Sequence, residues 1–67
     1  KMRRSIVAAK ELSAGHVLTM EDLDAKRPGD GIPPNEMIHV IGKKLKRDIG
    51  ADEMLLPDDL ESYGAKI

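Results

Sequence analysis

The sequence predicts one small, mostly β domain that is built from short strands and single helical turns and consists of two similar halves. Three observations predict it: the apolar runs are short, Gly and Pro interrupt them, and one stretch of sequence occurs twice. The chain has 67 residues, of which 34% are charged, yet its net charge is only −1. This balance argues against a disordered tail and against a general attraction to nucleic acid or anionic membranes.

The apolar runs and turn residues place the elements along the chain. We expect strands at residues 5–9, 17–18, 24–27, 43–48 and 54–56. Thr19 has the features of a helix N-cap, with Asp22 three positions later, and Gly15 suits a turn with positive φ. Pro34 and Pro57 can each open a short helix, because a proline at the first position loses no hydrogen bond. We expect the first of these helices to run to about residue 40 and to end at Gly42, and the chain to fray from residue 61 onward.

An internal repeat relates the two halves. Residues 10–24 align without a gap on residues 47–61, so that each residue matches the one 37 positions later (10 with 47). Four pairs are identical: Ala14/Ala51, Leu18/Leu55, Asp22/Asp59 and Leu23/Leu60. Because neither unit can bury its apolar face alone, we expect the two units to pack about a pseudo-twofold axis.

The sequence offers no self-contained active site. It has no cysteine, which excludes disulfides and thiolate metal sites, and the spacing of His16 and His39 matches no zinc motif. The serines occur in no nucleophile-elbow context. We therefore assign no catalytic and no metal-binding residue to this chain.

The remaining charged groups are better explained as structure than as chemistry. We interpret the acidic pairs Glu21/Asp22 and Asp58/Asp59 as solvated capping residues. We expect His16 to be exposed and His39 to be partly buried. Residues 43–47 form a basic run that lacks aromatic platforms for nucleic acid, so we interpret it as a solvated strand face with Leu45 turned inward. No apolar run is long enough to cross a membrane.

The most informative segment is Lys26–Pro34, in which Arg27 stands at the start of a stiff loop. Pro28 restricts the backbone of Arg27, and Gly29 and Gly31 on either side of Asp30 permit a tight reversal. A guanidinium presents five donors in a planar fork that suits a carboxylate, a phosphate or an amide carbonyl. Chemistry alone leaves two readings open: Arg27 reaches outside its own domain, or it pairs locally with Asp30.

Several segments resemble the SAF (antifreeze-like) domain that ends sialic acid synthases of the N-acetylneuraminate synthase type, a domain related to type III fish antifreeze proteins. These segments are residues 4–9, the Leu-x-x-Gly-x-x-Leu-Thr-x-x-Asp-Leu pattern of 12–23, residues 26–34, Ile41-Gly42-Lys43, and Leu55 with Asp59-Leu60. The resemblance covers roughly residues 3–61, and Lys26-Arg27-Pro28-Gly29 is its most specific part. It implies a β-clip, or pretzel, fold.

The resemblance also implies a parent enzyme. That enzyme is a cytoplasmic homodimer whose (β/α)8 barrel condenses phosphoenolpyruvate with an N-acylated amino sugar such as N-acetylmannosamine. The small domain covers the barrel of the partner subunit, and an arginine at the position of Arg27 contacts the N-acyl group of the sugar. The divalent metal, Mn or Mg, and the acid–base residues belong to the barrel, so we expect no cofactor, nucleic acid or membrane to bind this chain.

The same resemblance divides the chain into three parts. Residues 1–4 would be a linker from the preceding barrel, residues 5–61 the SAF domain, and residues 62–67 a C-terminal tail. Because the chain begins with Lys1 and has no disulfide or metal staple, we expect an excised domain of a longer protein rather than a processed or arbitrary start.

Two other classes share the framework. One is an ice-binding protein, whose flat face would here comprise Lys10, Glu11, Gly15, His16, Val17, Thr19, Met20, Glu21 and Asp22. Five of these nine residues are charged or titratable, which argues against a weakly hydrated surface. The other is a SAF module of a pilus-assembly or sugar-acid dehydratase protein, which would not explain the residues around Arg27.

Overall fold

A computed structural model of the chain describes residues 3–63, in which two strands form a small antiparallel sheet. Strand β1 is Ser5–Ala8 and strand β2 is Leu23–Lys26. Their register sets Ser5 opposite Lys26 and Ala8 opposite Leu23. All of β1 is buried, so its apolar side chains and its one serine lie inside the domain.

Short helical turns connect the remaining chain. Within residues 3–63, the 3₁₀ turns are Met20–Asp22, Pro34–Glu36 and Pro57–Asp59, and helix α1 is Met37–Val40. Pro34 and Pro57 open their turns as predicted. Gly42 follows α1 with a φ of 93°, the left-handed conformation that ends many helices.

The predicted pseudo-twofold repeat is visible in the backbone hydrogen bonds. Leu12 and Ile49, which are equivalent residues, each donate a 2.8 Å amide hydrogen bond to the carbonyl of the other. Other bridges also come in pairs that differ by 37 positions: Ala8–Glu53 with Leu45–His16, and Val7–Met54 with Lys44–Val17. The internal repeat therefore corresponds to two structural units that exchange hydrogen bonds across an axis near Leu12 and Ile49.

Equivalent turns in the two halves use different residues. Gly15 has a φ of 88°, and its counterpart Asp52 has a φ of 67°. Both values lie in the left-handed region, which a Cβ atom disfavours and which aspartate tolerates better than most residues. The space around Gly15 is open, so the turn requires a glycine for its backbone conformation and not for packing.

The core is aliphatic and draws on both halves. Its buried members are Ile6, Ala8, Leu12, Leu18, Leu23, Ile32, Val40, Leu45, Ile49, Leu55 and Leu60. The repeat-related pairs Leu18/Leu55 and Leu23/Leu60 are all among them. Because the core is small, removal of one of these side chains removes an appreciable part of the apolar burial that stabilises the domain.

The strand predicted at residues 43–48 is wrong as a continuous element. Lys44 and Leu45 form isolated bridges to different partners, Val17 and Leu60 respectively. The backbone of this segment is divided between two partners, because the Leu45 amide donates to the carbonyl of His16 and the Lys46 amide to that of Asp59. The short strands predicted at residues 17–18 and 54–56 are likewise reduced to single bridges.

The chain after Leu60 does not fray at once. The amide of Glu61 donates to the carbonyl of Lys44, and the Tyr63 hydroxyl donates to the Glu36 carboxylate at 3.1 Å. Tyr63 also packs against the core. The rest of the predicted tail, residues 64–67, and the first two residues of the predicted linker lie outside the described residues.

We expect Leu60→Ala to lower the free energy of unfolding by about 2–5 kcal/mol, because the substitution empties space in a packed core. Leu56→Ala is the matched control, since Leu56 is 42% exposed whereas Leu60 is 1% exposed. Urea unfolding of both variants measures the difference. Equal losses in the two variants would contradict the assignment of Leu60 to the core.

Candidate functional site

Arg27 follows directly after β2 and is exposed. Among residues 3–63, its side chain forms no ion pair, and the local pairing with Asp30 that the sequence left open is not present. The peptide bond between Arg27 and Pro28 is cis. The arginine thus projects from the end of a sheet strand with its donors available to a partner.

Ser5 lies beneath the loop that follows Arg27. Its hydroxyl donates to the carbonyl of Pro28 at 2.6 Å and accepts from the amide of Gly31 at 2.9 Å. This contact was not predicted from the sequence, where Ser5 stands out only as part of an expected strand and as a serine without a nucleophile motif. The available signal was a single polar residue at the head of the apolar run Ser5–Ala8, but nothing in the sequence identifies its partners.

The loop glycines permit close approach of neighbouring segments, and neither adopts the left-handed backbone conformation. Within the described chain, neither Gly29 nor Gly31 has a positive φ. A Cβ atom at Gly29 would collide with Arg3, and one at Gly31 would collide with the side chain of Met54. The residues just before β1 therefore pack directly against the loop that carries Arg27.

Two shallow grooves flank this contact. One has a volume of about 340 Å³ and is lined by Arg3, Arg27, Pro28, Gly29 and Asp30. The other, of about 310 Å³, is lined by Arg3, Arg4, Gly29, Gly31, Pro33, Pro34 and Asn35. Three arginines and a single aspartate make the region around the loop positively charged, which suits a polar or anionic ligand.

A second polar cluster surrounds Asp22. We expected this residue to be solvated, but it is buried. One of its carboxylate oxygens, Oδ2, accepts hydrogen bonds from the Thr19 amide at 2.9 Å, the Thr19 hydroxyl at 3.0 Å and His16 Nε2 at 2.7 Å. Lys10 adds a longer ion pair at 3.6 Å. The bond from His16 is the main cause that lowers the pKa of Asp22 from 3.8 to about 2, although burial acts in the opposite direction. The carboxylate thus secures the 3₁₀ turn that begins after Thr19.

The equivalent Asp59 is also buried and binds an arginine. Arg47 Nε donates to Asp59 Oδ1 at 2.8 Å, and Arg47 Nη2 lies 2.9 Å from Glu53 Oε2. These two contacts raise the pKa of Arg47. The hydrogen bond from the Gly50 amide and, after it, the bond from Arg47 lower the pKa of the Glu53 carboxyl. The last residue of the basic run therefore has a structural role, while Leu45 within the run is buried as predicted.

The other residues considered in the sequence analysis contribute no chemical site. Glu21 and Asp58 are exposed, as expected of solvated capping residues, and so is His16. His39 is exposed, not partly buried, because it lies on the outer side of α1. Between residues 3 and 63, no group of three or more His, Cys, Asp or Glu side chains could hold a metal ion. Over the same range, no helix is both long and apolar enough to span a bilayer.

The fold is that of an antifreeze-like domain. The solution structure of an antifreeze protein like domain in human N-acetylneuraminic acid phosphate synthase superposes on this chain with a TM-score of 0.83. The two are 30% identical in sequence, and the match covers 94% of this chain and 81% of that one. Residues 3–61 match the SAF domain family, and the chain belongs to this family.

The curated relatives include N-acetylneuraminate-9-phosphate synthases and a legionaminic acid synthase. The chain is 36% identical over 61 residues to the N,N'-diacetyllegionaminic acid synthase of Legionella pneumophila, a match that covers 91% of this chain and 17% of that protein. It is 29% identical over 68 residues to human N-acetylneuraminate-9-phosphate synthase, covering 100% of this chain and 19% of that protein. The chain thus spans less than a fifth of the length of these relatives.

Lowering the pH should decrease the free energy of unfolding, because the buried Asp22 carboxylate becomes protonated. Because its folded pKa of about 2 lies below the ordinary value of 3.8, its stabilising contribution is complete above pH 4 and disappears as the pH falls toward 2. We expect Asp22→Asn to be less stable than the original chain at pH 5 and to approach it near pH 2. Urea unfolding from pH 2 to pH 5 measures this, with the exposed Asp58→Asn as control. A stability difference for Asp22→Asn that does not change with pH would contradict the assignment.

Proposed function

We propose that this chain is the substrate-capping domain of a sialic acid synthase-type enzyme, in which Arg27 binds the N-acyl group of the acceptor sugar. The parent enzyme would condense phosphoenolpyruvate with an N-acylated amino sugar of the N-acetylmannosamine type, in the cytoplasm. As part of a homodimer, the domain would cover the barrel of the partner subunit. The observation that carries the proposal is an exposed arginine without an acidic partner among residues 3–63, at the edge of an anchored loop.

A difference between the neighbouring cations Lys26 and Arg27 supports a role for Arg27 outside its own domain. Lys26 Nζ lies 2.7 Å from Asp52 Oδ1, and this contact raises the pKa of Lys26. The charge of Lys26 is thus balanced within the domain, whereas that of Arg27 is not balanced by any residue from 3 to 63. An arginine held in this way can donate to an amide carbonyl without first breaking an internal ion pair.

Capping would supply orientation and exclude water, not bond chemistry. A charge-assisted hydrogen bond from Arg27 to the sugar's acyl oxygen would fix the acceptor, and closure of the domain would shield the site. The divalent Mn or Mg ion would be held by the barrel, because residues 3–63 offer no suitable group of ligands. The phosphoenolpyruvate site and the acid–base residues would also belong to the barrel.

Ice binding is the competing function for this fold, and the equivalent face is unsuited to it. Lys10 and His16 gather around the buried Asp22, while Glu11 and Glu21 are exposed. Ionic groups retain water strongly. The charged residues on this face therefore favour substrate capping over adsorption to ice.

The 67-residue chain alone should not catalyse condensation of phosphoenolpyruvate with N-acetylmannosamine. The physical reason is that residues 3–63 hold neither a metal-ligand group nor an acid–base pair next to Arg27. A product assay with the purified chain, with a full-length synthase as positive control, measures this. Product above the enzyme-free background would show that the chemistry resides in this domain.

Arg27→Ala in the full-length enzyme should lower kcat/KM for the acceptor sugar by about one to two powers of ten. The lost charge-assisted hydrogen bond corresponds to about 1.5–3 kcal/mol. Arg27→Lys should restore little, because an ammonium group cannot reproduce the planar fork. Steady-state kinetics measure both variants, and Tm of the 67-residue chain should hardly change in either.

Lys26→Ala is the matched control for this experiment. It removes a neighbouring cation whose charge Asp52 balances, so acceptor kinetics should be preserved. If Arg27→Ala lowers activity and Tm together, Arg27 is a structural residue. If acceptor kinetics are unchanged in Arg27→Ala, the proposed function is wrong.

A further inference from the structure

The polar group most deeply buried near the Arg27 loop is the hydroxyl of Ser5. Ser5 is 0% exposed, whereas the other buried residues of β1 are apolar. A buried hydroxyl needs hydrogen-bond partners, and an apolar residue would fill the same space without that requirement. The presence of a serine at this position therefore calls for an explanation in terms of the groups that it bonds.

Both groups belong to the loop that follows Arg27. Ser5 Oγ donates to the carbonyl of Pro28 and accepts from the amide of Gly31, so one atom closes the loop at both ends. Neither bond is local, because Ser5 is 23 residues from Pro28 and 26 from Gly31 in sequence. The hydroxyl thus ties the loop to the first strand of the sheet.

The main chain of the same residue reaches the other side of Arg27. In the sheet register, Ser5 is the partner of Lys26, the residue just before Arg27. Its side chain bonds Pro28, the residue just after. Ser5 therefore holds the backbone of Arg27 from both neighbours, and a guanidinium on a long flexible stem gains most from a fixed base.

We infer that Ser5 is the positioning residue of Arg27, the side chain that fixes the direction in which this arginine leaves the domain. The inference rests on the proposed function for its consequence in catalysis. The anchoring of the loop itself can be measured without it. Packing of Gly29 against Arg3 supports the same arrangement, because the segment that precedes Ser5 contacts the loop from the adjacent side.

Hydrogen exchange on the 67-residue chain tests the anchoring. In the unaltered chain, the Gly31 amide should exchange at least about tenfold more slowly than the Asp30 amide, for which no hydrogen bond is seen within residues 3–63. Ser5→Ala should speed Gly31 exchange by about tenfold relative to the Ile49 amide. If Gly31 exchanges as fast as Asp30 in the unaltered chain, the anchor is absent and the inference is wrong, whether or not Ser5→Ala folds.

Kinetics of the full-length enzyme test the consequence. Ser5→Ala should raise KM for the acceptor sugar by about threefold to tenfold and leave KM for phosphoenolpyruvate unchanged. The double variant Ser5→Ala/Arg27→Ala should be no worse than Arg27→Ala, because both changes remove the same contact. Gly15→Ala, which strains a different turn, is the control for general loss of stability and should not alter acceptor kinetics.

The two possible failures can be told apart. Unchanged acceptor kinetics in Arg27→Ala would overturn the proposed function, and the exchange of Gly31 would still decide whether Ser5 anchors the loop. A loss in Arg27→Ala together with an additive loss in the double variant would overturn only the positioning role. A matching loss in the Gly15→Ala control would also overturn it, since the effect would then be one of stability.

Discussion

The reciprocal hydrogen bonds between Leu12 and Ile49 are the constraint on which the rest of the structure depends. They join two units that have too little regular secondary structure to be stable alone, since the sheet found within residues 3–63 has just two strands. Once this pair fixes the axis, the remaining bridges follow in equivalent positions and the aliphatic side chains of both halves meet in one core. Stability thus comes from the exchange between the units and not from long elements.

The features that could be predicted from the sequence are those that local chemistry determines. The repeat, the proline-initiated turns and the inward direction of Leu45 all follow from residue type and spacing. For Arg27 the sequence leaves two readings open, and the structure of residues 3–63 shows no local pairing with Asp30. The predicted strand at residues 43–48 was wrong because its backbone partners come from separate segments, a choice that tertiary packing makes.

The same limit explains what was missed around the candidate site. The buried carboxylate of Asp22 is bonded by His16. That of Asp59 is bonded by Arg47, which lies 12 positions away in the sequence. Adjacent acidic pairs do not reveal which member turns inward. The role of Ser5 depends on a contact across more than twenty residues, and such contacts leave no mark in a single sequence.

The two units differ at equivalent positions near their C-terminal ends. This difference allows the first unit to present Arg27 on the surface. Lys26 in the first unit corresponds to Tyr63 in the second, which turns back to bond Glu36 and pack on the core. In the second unit Tyr63 therefore packs against the domain, whereas the first unit is followed by the exposed Arg27. A duplicated module of this kind can alter the projecting end, and hence what it recognises, while the sealed end continues to hold the fold.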